Sequence, residues 1–372
     1  MRVFVTDGHY KNTLAIVRSL GGRGAHVVVG APVRRAQACY SKHCAERVVY
    51  PDDHNEEAFV AFIADYAARQ EIDLVLPVGY RASTVLSRHA RRVREHARLL
   101  VADDSAMAVA ADKRRTMALA SQLGVPTPRM FETPDAVSSF PVVVKGVRES
   151  GRVRYVNSKE EMPDVEPSEF IAQEYVPGQG FGFYALCNHG ETRAIFMHRR
   201  LREFPVTGGA STAAESFRDP RLQDYGTRLL EALKWHGVAM VEFKLDARDG
   251  DFKLMEINPK FWGSLDLSIA AGVDFPWLAA RMAIDGDIEP VLEYREDVKF
   301  HWLLPDEVLH VLARPSAIAA VLGACFDRRM GSNIWLSDLR PNLFQVWLTV
   351  RTVAGHVVRG ELWRPHGTPR VS

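Results

Sequence analysis

Cysteine is scarce in this chain. Cys39, Cys44, Cys187 and Cys325 are the only four in 372 residues, and no two form a C-x-x-C pair. That argues against a disulfide-stapled scaffold and against a paired-cysteine zinc or redox centre. The run CYSKHC places His43 between Cys39 and Cys44 but has no second ligand pair nearby. It reads as ordinary thiols in a reducing compartment, and a cytoplasmic location is expected. Charge of one sign is lacking too. Lys and Arg number 47 against 46 Asp and Glu, leaving +1. No global field draws the chain to nucleic acid or membrane, and neither partner is expected. The locally basic RVREHAR reads as a solvated helix face. No apolar run is long enough to span a bilayer. MRVFVTDGHYKN lacks a signal-peptide pattern and reads as a buried strand and its turn. The turn TDGHYKN also lacks G-x-G-x-x-G, so a dinucleotide site is not indicated. Its free backbone N–H groups suit part of a substrate, or the loop is a plain structural turn. No G-x-S-x-G or Cys–His nucleophile pattern occurs.

What is present is a chain long enough for two or three domains with a large core. Apolar runs of strand length (RVFVT, HVVVG, DLVLPV, RLLVA) alternate with helical periodicity through about residue 103. That pattern predicts a doubly wound parallel sheet covered by helices. From Asp104 the texture changes. The stretch 104–128 predicts one helix closed by Gly124 and two prolines, and FPVVVKG predicts a strand ending at Lys145. EFIAQEYVPG predicts another strand. FGFYALCNHGETRAIFMH predicts a hairpin, and DPRLQDYGTRLLEALKW a helix. GVAMVEFKLDARDGDFKLMEIN predicts two strands turning at Asp249-Gly250, and 261–287 is helical. Beyond about residue 290 possible helices appear (VLHVLARPSAIAAVLGACF) but no motif.

The Asp249-Gly250 hairpin carries the chemistry. Glu242 lies seven residues before Asp249, and Glu256 six after Gly250. Folded back, the two are near neighbours across the ladder, where paired Cβ atoms are about 5 Å apart. Asn258, two residues on, points to the same face. Two carboxylates that close repel each other unless a cation sits between them. An all-oxygen set suits Mg²⁺ rather than zinc. The same pattern fits an exposed hairpin with ordinary surface charges, although LMEIN and FWGSL are too apolar for a solvated tip. Mg²⁺ with few protein ligands usually also binds substrate phosphates, so cationic phosphate ligands are expected elsewhere. Lys145, at the end of an apolar strand, needs a partner for its ammonium. Lys113 lies near a helix start, and the Ser150-Gly151 loop suits backbone contacts to phosphate. A lysine on a helix is more often merely solvated, and a Ser-Gly pair more often only a turn.

Taken in order, DK (112–113), GVPTP (124–128), VVVKG (142–146), ESGRV (149–153) and QEYVPG (173–178) resemble the ATP-grasp superfamily. HRRLREFPVTGG (198–209), VEFK (241–244) and MEINPKFWGS (255–264) continue the resemblance, which runs from about residue 1 to 290. It is nearest to the carbamoyl-phosphate-synthase-like and amino acid ligase branches. It implies an ATP-grasp fold of mixed α/β and α+β class. The parts are an N-terminal α/β domain (1–103), a small lid domain (104–177) and a larger α+β domain (178–290), leaving 291–372 as an extension of unassigned role. It implies that Lys113 and Lys145 contact ATP phosphates, that Ser150 and Gly151 form a lid, and that Glu174, Tyr175 and Val176 read adenine. Glu242, Glu256 and Asn258 then hold Mg²⁺, or Mn²⁺ in its place. Two departures stand out. Lys260 occupies the usual arginine position after the metal asparagine, keeping charge but losing the planar fork, with Arg200 placed to compensate. The acidic residue that often holds the ribose is missing, and Gln179 is the candidate substitute.

The activity implied is an ATP-dependent ligase that activates a small-molecule carboxylate as an acyl phosphate. It then couples the acid to an amine, an amino acid or peptide, releasing ADP and phosphate. The alternatives are a kinase-like enzyme that stops at a phosphorylated product and a nucleotide-binding sensor with a decayed site. The partners expected are the two small substrates, with a homodimer left open.

Overall fold

The computed structural model describes residues 1–131, 133, 136–148, 153–164, 166, 168–359 and 369. The N-terminal unit runs β1 (Arg2–Val5), α1 (Lys11–Gly22), β2 (His26–Ala31), β3 (Glu46–Val49), α2 (Glu56–Arg69), β4 (Leu74–Leu76), α3 (Tyr80–Arg88), α4 (Ala90–Arg94) and β5 (Arg98–Leu99). Its strands are parallel in the order β3-β2-β1-β4-β5, as the alternating pattern predicts. Strand order reverses beside β1, so the loops after β1 and β4 flank a crevice at the strands' carboxyl ends. β3 is an edge strand, half-exposed and charged (ERVV), which is why its sequence shows no buried-strand run.

The single helix predicted from Asp104 is two, α5 (Asp104–Ala110) and α6 (Lys113–Gln122). Asp112 breaks it, its carboxylate accepting hydrogen bonds from the Arg114 and Arg115 amides as an N-cap. Both helices place Ala106, Met107, Ala110, Met117 and Ala120 in one apolar core with Phe181, Phe183 and Phe243 of the large sheet. They thus pack on the large domain, not on the lid sheet with which the sequence groups them. That small sheet is antiparallel, β6 (Met130–Phe131), β7 (Val142–Gly146), β8 (Arg154–Val156) and β9 (Phe170–Glu174), ordered β6-β9-β7-β8. Its core is separate and small: Phe131, Val142, Val144 and Val156.

The large domain continues with β10 (Gly178–Asn188), β11 (Glu191–Phe204), β12 (Ala210–Ser216), α7 (Pro220–Ala232), β13 (Gly237–Asp246), β14 (Phe252–Asn258), α8 (Leu265–Ala271) and α9 (Phe275–Asp285). Residues after 290 are not separate from it. β15 (Lys299–His301) and β16 (Met330–Ser332) extend the sheet to the order β14-β13-β10-β11-β12-β15-β16. α10 (Val308–Ala313), α11 (Ile318–Phe326) and α12 (Leu339–Arg359) are the remaining α-helices among the described residues. Three-residue strands carry no readable period, so these two escape sequence reading.

One apolar core joins the N-terminal and large domains, running from Val3, Leu14 and Val29 to Tyr184, Trp262, Phe275 and Trp302. Polar links reinforce it. Asn12 donates to the Phe261 carbonyl at 3.1 Å, and Lys11 pairs with Asp306. Arg18 pairs with Asp338 at 3.0 Å, both side chains 2% exposed. No single described helix is long and apolar enough to cross a membrane.

Candidate active site

The β13–β14 hairpin sets the centre. Phe243 pairs with Leu254, both facing the core, and a one-residue bulge at Met255 follows. The bulge brings Glu242 directly opposite Glu256 and Met240 opposite Asn258, on the face turned to the cleft. The pairing inferred from counting outward from the turn is therefore present. The cleft holds about 700 Å³ between the three sheets.

Cations already neutralise the two glutamates. Lys113, the first residue of α6 after its Asp112 cap, reaches Glu256 at 3.3 Å. Arg200 on β11 reaches Glu242 at 2.7 Å and Glu203 at 3.5 Å. Strand alternation puts His198 and Arg200 on one face, while Arg199 turns to the other and pairs with Glu215. Gly180 makes room for Arg200: a Cβ there would lie 2.8 Å from the arginine Cδ. Asn258 donates its side-chain amide to Glu256 at 2.9 Å. Lys145 donates to the Met255 carbonyl at 3.4 Å.

Burial pushes the Lys145 ammonium down to about 8, against the pull of Glu256. Burial alone would raise Glu256, but Lys113 and Lys145 outweigh it and hold the carboxyl below its usual range. Arg200 is also desolvated, yet Glu242 and Glu203 keep it firmly charged. His198 is pushed to about 3 by burial and by Arg200, so it is neutral. It shares a hydrogen-bond cluster with the Tyr184 hydroxyl and with Ser264, the latter at 2.8 Å.

The structure brings most of the sequence-selected residues together. Lys113, Lys145, Glu174, Tyr175, Val176, Arg200, Glu242, Glu256, Asn258 and Lys260 all line the one cleft. Glu174, Tyr175 and Val176 form the strap joining β9 to the large domain. The Val176 carbonyl accepts from Lys244 at 3.1 Å, and that lysine sits over the Tyr175 ring. The Glu174 carboxylate is held by the Arg129 amide and by Arg248, so its side chain serves the strap itself. Lys260 lies over the Tyr80 ring, facing the N-terminal crevice. Gln179 is not among the residues lining this cleft. It donates to the Arg200 carbonyl at 2.5 Å and lines a second depression behind that arginine, outside the cleft. Ser150 and Gly151 lie outside the described residues.

Sequence reading passed over several lining residues. Tyr10, Lys11, Asn12 and Gly79 come from the loops after β1 and β4, the turn left open between substrate contact and structural role. Tyr184 had no signal, since its run reads as plain core. Lys244, Trp262 and Ser264 lay within quoted motifs without being singled out. Gly208 was not passed over: it belongs to the quoted motif HRRLREFPVTGG, whose Thr207-Gly208-Gly209 loop reads as lying beside substrate, and it lines the cleft with φ +132°, where a Cβ would lie 2.7 Å from the Tyr155 hydroxyl oxygen. Among the described residues, seven basic and three acidic side chains line the cleft, a balance suited to a polyanion.

Two opposed carboxylates and an amide oxygen form a hard-oxygen donor set that fits a divalent cation of the Mg²⁺ type. Lys113 and Arg200 are paired with those carboxylates, and a cation taking the carboxylates would leave both free to meet an anion.

Comparison with known proteins agrees with this geometry. Residues 166–304 match the family described as ATP-grasp in the biosynthetic pathway with Ter operon. No curated protein matches the chain. Among solved structures, L-amino acid ligase from Bacillus licheniformis is 19% identical, with TM-score 0.61 over 77% of this chain and 75% of that one. An ADP complex of N5-carboxyaminoimidazole ribonucleotide synthetase is 14% identical, with TM-score 0.65 over 87% and 85%. The biotin carboxylase domain of Hydrogenobacter thermophilus 2-oxoglutarate carboxylase, solved with MgADP, ADP and bicarbonate, is 14% identical, with TM-score 0.61 over 80% and 73%. The chain has the ATP-grasp fold of these structures, and its residues 166–304 match one family segment described as ATP-grasp.

Proposed function

We propose that this protein is an ATP-dependent carboxylate–amine ligase acting on small molecules, with an amino acid or peptide as one partner. The observation that carries the reading is the direct pairing of Glu242 with Glu256, next to Asn258 and backed by Lys113, Lys145 and Arg200. The amine side of the reading is supported by the structural likeness to an L-amino acid ligase.

A carboxylate resists attack by an amine because oxide is a poor leaving group. In the first step a carboxylate oxygen attacks the γ-phosphorus of ATP, and the bond to the β,γ-bridging oxygen breaks, giving an acyl phosphate and ADP. In the second, the amine nitrogen attacks the acyl carbon, the C–O bond to phosphate breaks, and the nitrogen loses a proton. Glu242, Glu256 and Asn258 would hold Mg²⁺, which would supply charge neutralisation among the phosphates. The protein's other work is positioning and electrostatics. Lys145 and Lys113 hold phosphate oxygens, and Arg200 and Lys260 face the transferring group. Tyr175 and Val176 flank the base. Lys260 and the loops carrying Asn12 and Gly79 enclose the acceptor end and exclude water.

The test is ADP release measured against pooled carboxylic and amino acids, with product mass read for amide formation. ADP release that needs both an acid and an amine, and is abolished by Glu256→Gln, supports the ligase. Turnover with an acid alone would assign a kinase-like enzyme. Tight ADP binding without turnover over the panel would assign a sensor.

A further inference from the structure

The C-terminal helix α12 is amphipathic in the reverse of the usual sense. Its buried residues include Asn342, Gln345 and Thr349, which are polar. Its solvent face carries Leu339 (53% exposed), Leu343 (70%), Val346 (50%), Val350 (65%) and Val357 (58%), with Trp347 (46%) beside them. The spacing 339, 343, 346, 350, 357 is that of one helical stripe. A helix of this length spans about 30 Å, so the stripe is long. It is also concentrated. Of the eighteen exposed large apolar residues among those described, twelve lie between Ile318 and Val358. An exposed apolar surface of that extent marks an interaction site.

The helix is not free to roll over and bury the stripe. Asp338, just before it, pairs with Arg18 and accepts from the Ser41 hydroxyl and the Lys42 amide. Asn342 accepts from Arg18 and donates to the Trp335 carbonyl. Phe344 stacks on Tyr40 with ring centroids 5.0 Å apart. The polar face is thus fixed to the N-terminal domain, and the apolar face is presented ready-made.

Charge decides the occupant. From Leu339 to Arg359 there is no Asp or Glu, whereas Arg340 and Arg351 are exposed on one flank of the stripe. Arg351 lies over Trp347, at the boundary between apolar face and charged rim. Two copies pairing antiparallel along this stripe would set that arginine flank against the same flank of the other copy, like charge on like. A bilayer surface with anionic headgroups matches both features at once. Apolar side chains enter the headgroup–acyl boundary while arginines stay with the phosphates, and a tryptophan sits at the interface. We propose that α12 docks this protein peripherally on an anionic membrane surface, against the expectation from net charge alone.

The experiment is co-sedimentation of the full chain with phosphatidylcholine vesicles containing about 30% phosphatidylglycerol, compared with phosphatidylcholine alone. The bound fraction should fall at least about tenfold without the anionic lipid, and should fall similarly at about 0.5 M salt. Leu343→Glu with Val350→Glu should abolish binding while leaving the thermal transition and ADP affinity unchanged. Arg340→Glu with Arg351→Glu should weaken it through the rim. Absence of binding, or binding that both double variants retain, overturns the proposal. So does a dimer in lipid-free solution that Leu343→Glu with Val350→Glu disperses, which would give the face to a second copy.

Discussion

The pairing of Arg200 with Glu242 can be tested by a double-mutant cycle on the metal-free protein. The nearest guanidinium nitrogen and carboxylate oxygen are 2.7 Å apart, with side chains 10% and 19% exposed. For charge centres roughly 4 Å apart at an effective dielectric constant near 20, the attraction is about 4 kcal/mol. Arg200→Met strands two carboxylates, Glu242 and Glu203, so it should cost about 3 kcal/mol, the low end for breaking a buried pair. Glu242→Gln leaves Arg200 with Glu203 at 3.5 Å, so its cost should be smaller, about 1–2 kcal/mol. The double variant removes both ends of the contact and should cost about 2–3 kcal/mol instead of the 4–5 expected from the sum, a coupling of roughly 2 kcal/mol. Urea unfolding in EDTA, with midpoints read for all four proteins, measures it. A coupling below about 0.5 kcal/mol would show that the contact adds nothing, and the account of Arg200 as the resident counter-charge of Glu242 would be wrong.

Because Lys113 and Arg200 occupy the two glutamates, Mg²⁺ alone should bind at least about tenfold more weakly than Mg²⁺ with ADP, whose phosphates take over those cations. Calorimetric titration with equal affinities in the two cases would refute this. The ammonium of Lys145, held to about 8 by burial, is charged below that pH and neutral above it. ADP affinity should therefore decline above pH 8, by up to about tenfold per unit, and Lys145→Arg should flatten that profile. A wild-type profile that stays level to pH 10 would contradict the assignment. Arg18→Met leaves the buried Asp338 without its cation and should cost about 3–5 kcal/mol. The loss should show as early proteolytic release of the C-terminal helix, and unchanged protease resistance would sink the clamp.

Much of this site is written locally. Glu242, Glu256 and Asn258 follow from counting outward from Asp249-Gly250, because a hairpin's register is set by its turn. The bulge at Met255 that perfects the alignment has no sequence mark. Lys113 stands just past Asp112, and the cap that breaks the predicted helix is what sends the lysine toward Glu256. Arg200 was legible as a cleft residue, but its partners were not: Glu242 reaches it from β13, and Glu203, on its own strand, reaches it across irregular register that plain alternation does not foresee. Gln179 was drawn by position in a motif to the ribose, whereas the partner the fold gives it is the Arg200 carbonyl, outside the lining of the main cleft. The N-terminal contribution of Tyr10, Lys11 and Asn12 depends on how two domains share a core, which no local pattern encodes. The same holds for Asp104–Gln122, whose apolar face has two sheets to choose from.

The separate core of the four-stranded sheet has a mechanical consequence. The other two sheets are welded through common apolar packing, so parting them would expose oily surface to water. The small lobe is held differently, by single polar contacts such as Arg114 to the Phe170 carbonyl, Lys145 to the Met255 carbonyl and Tyr155 to the Thr207 carbonyl. Each of these bonds contributes only about 1–3 kcal/mol net of the water that can replace it. It is the one sheet that could part from the rest, at the strap Tyr175–Val176, without breaking open a shared apolar core.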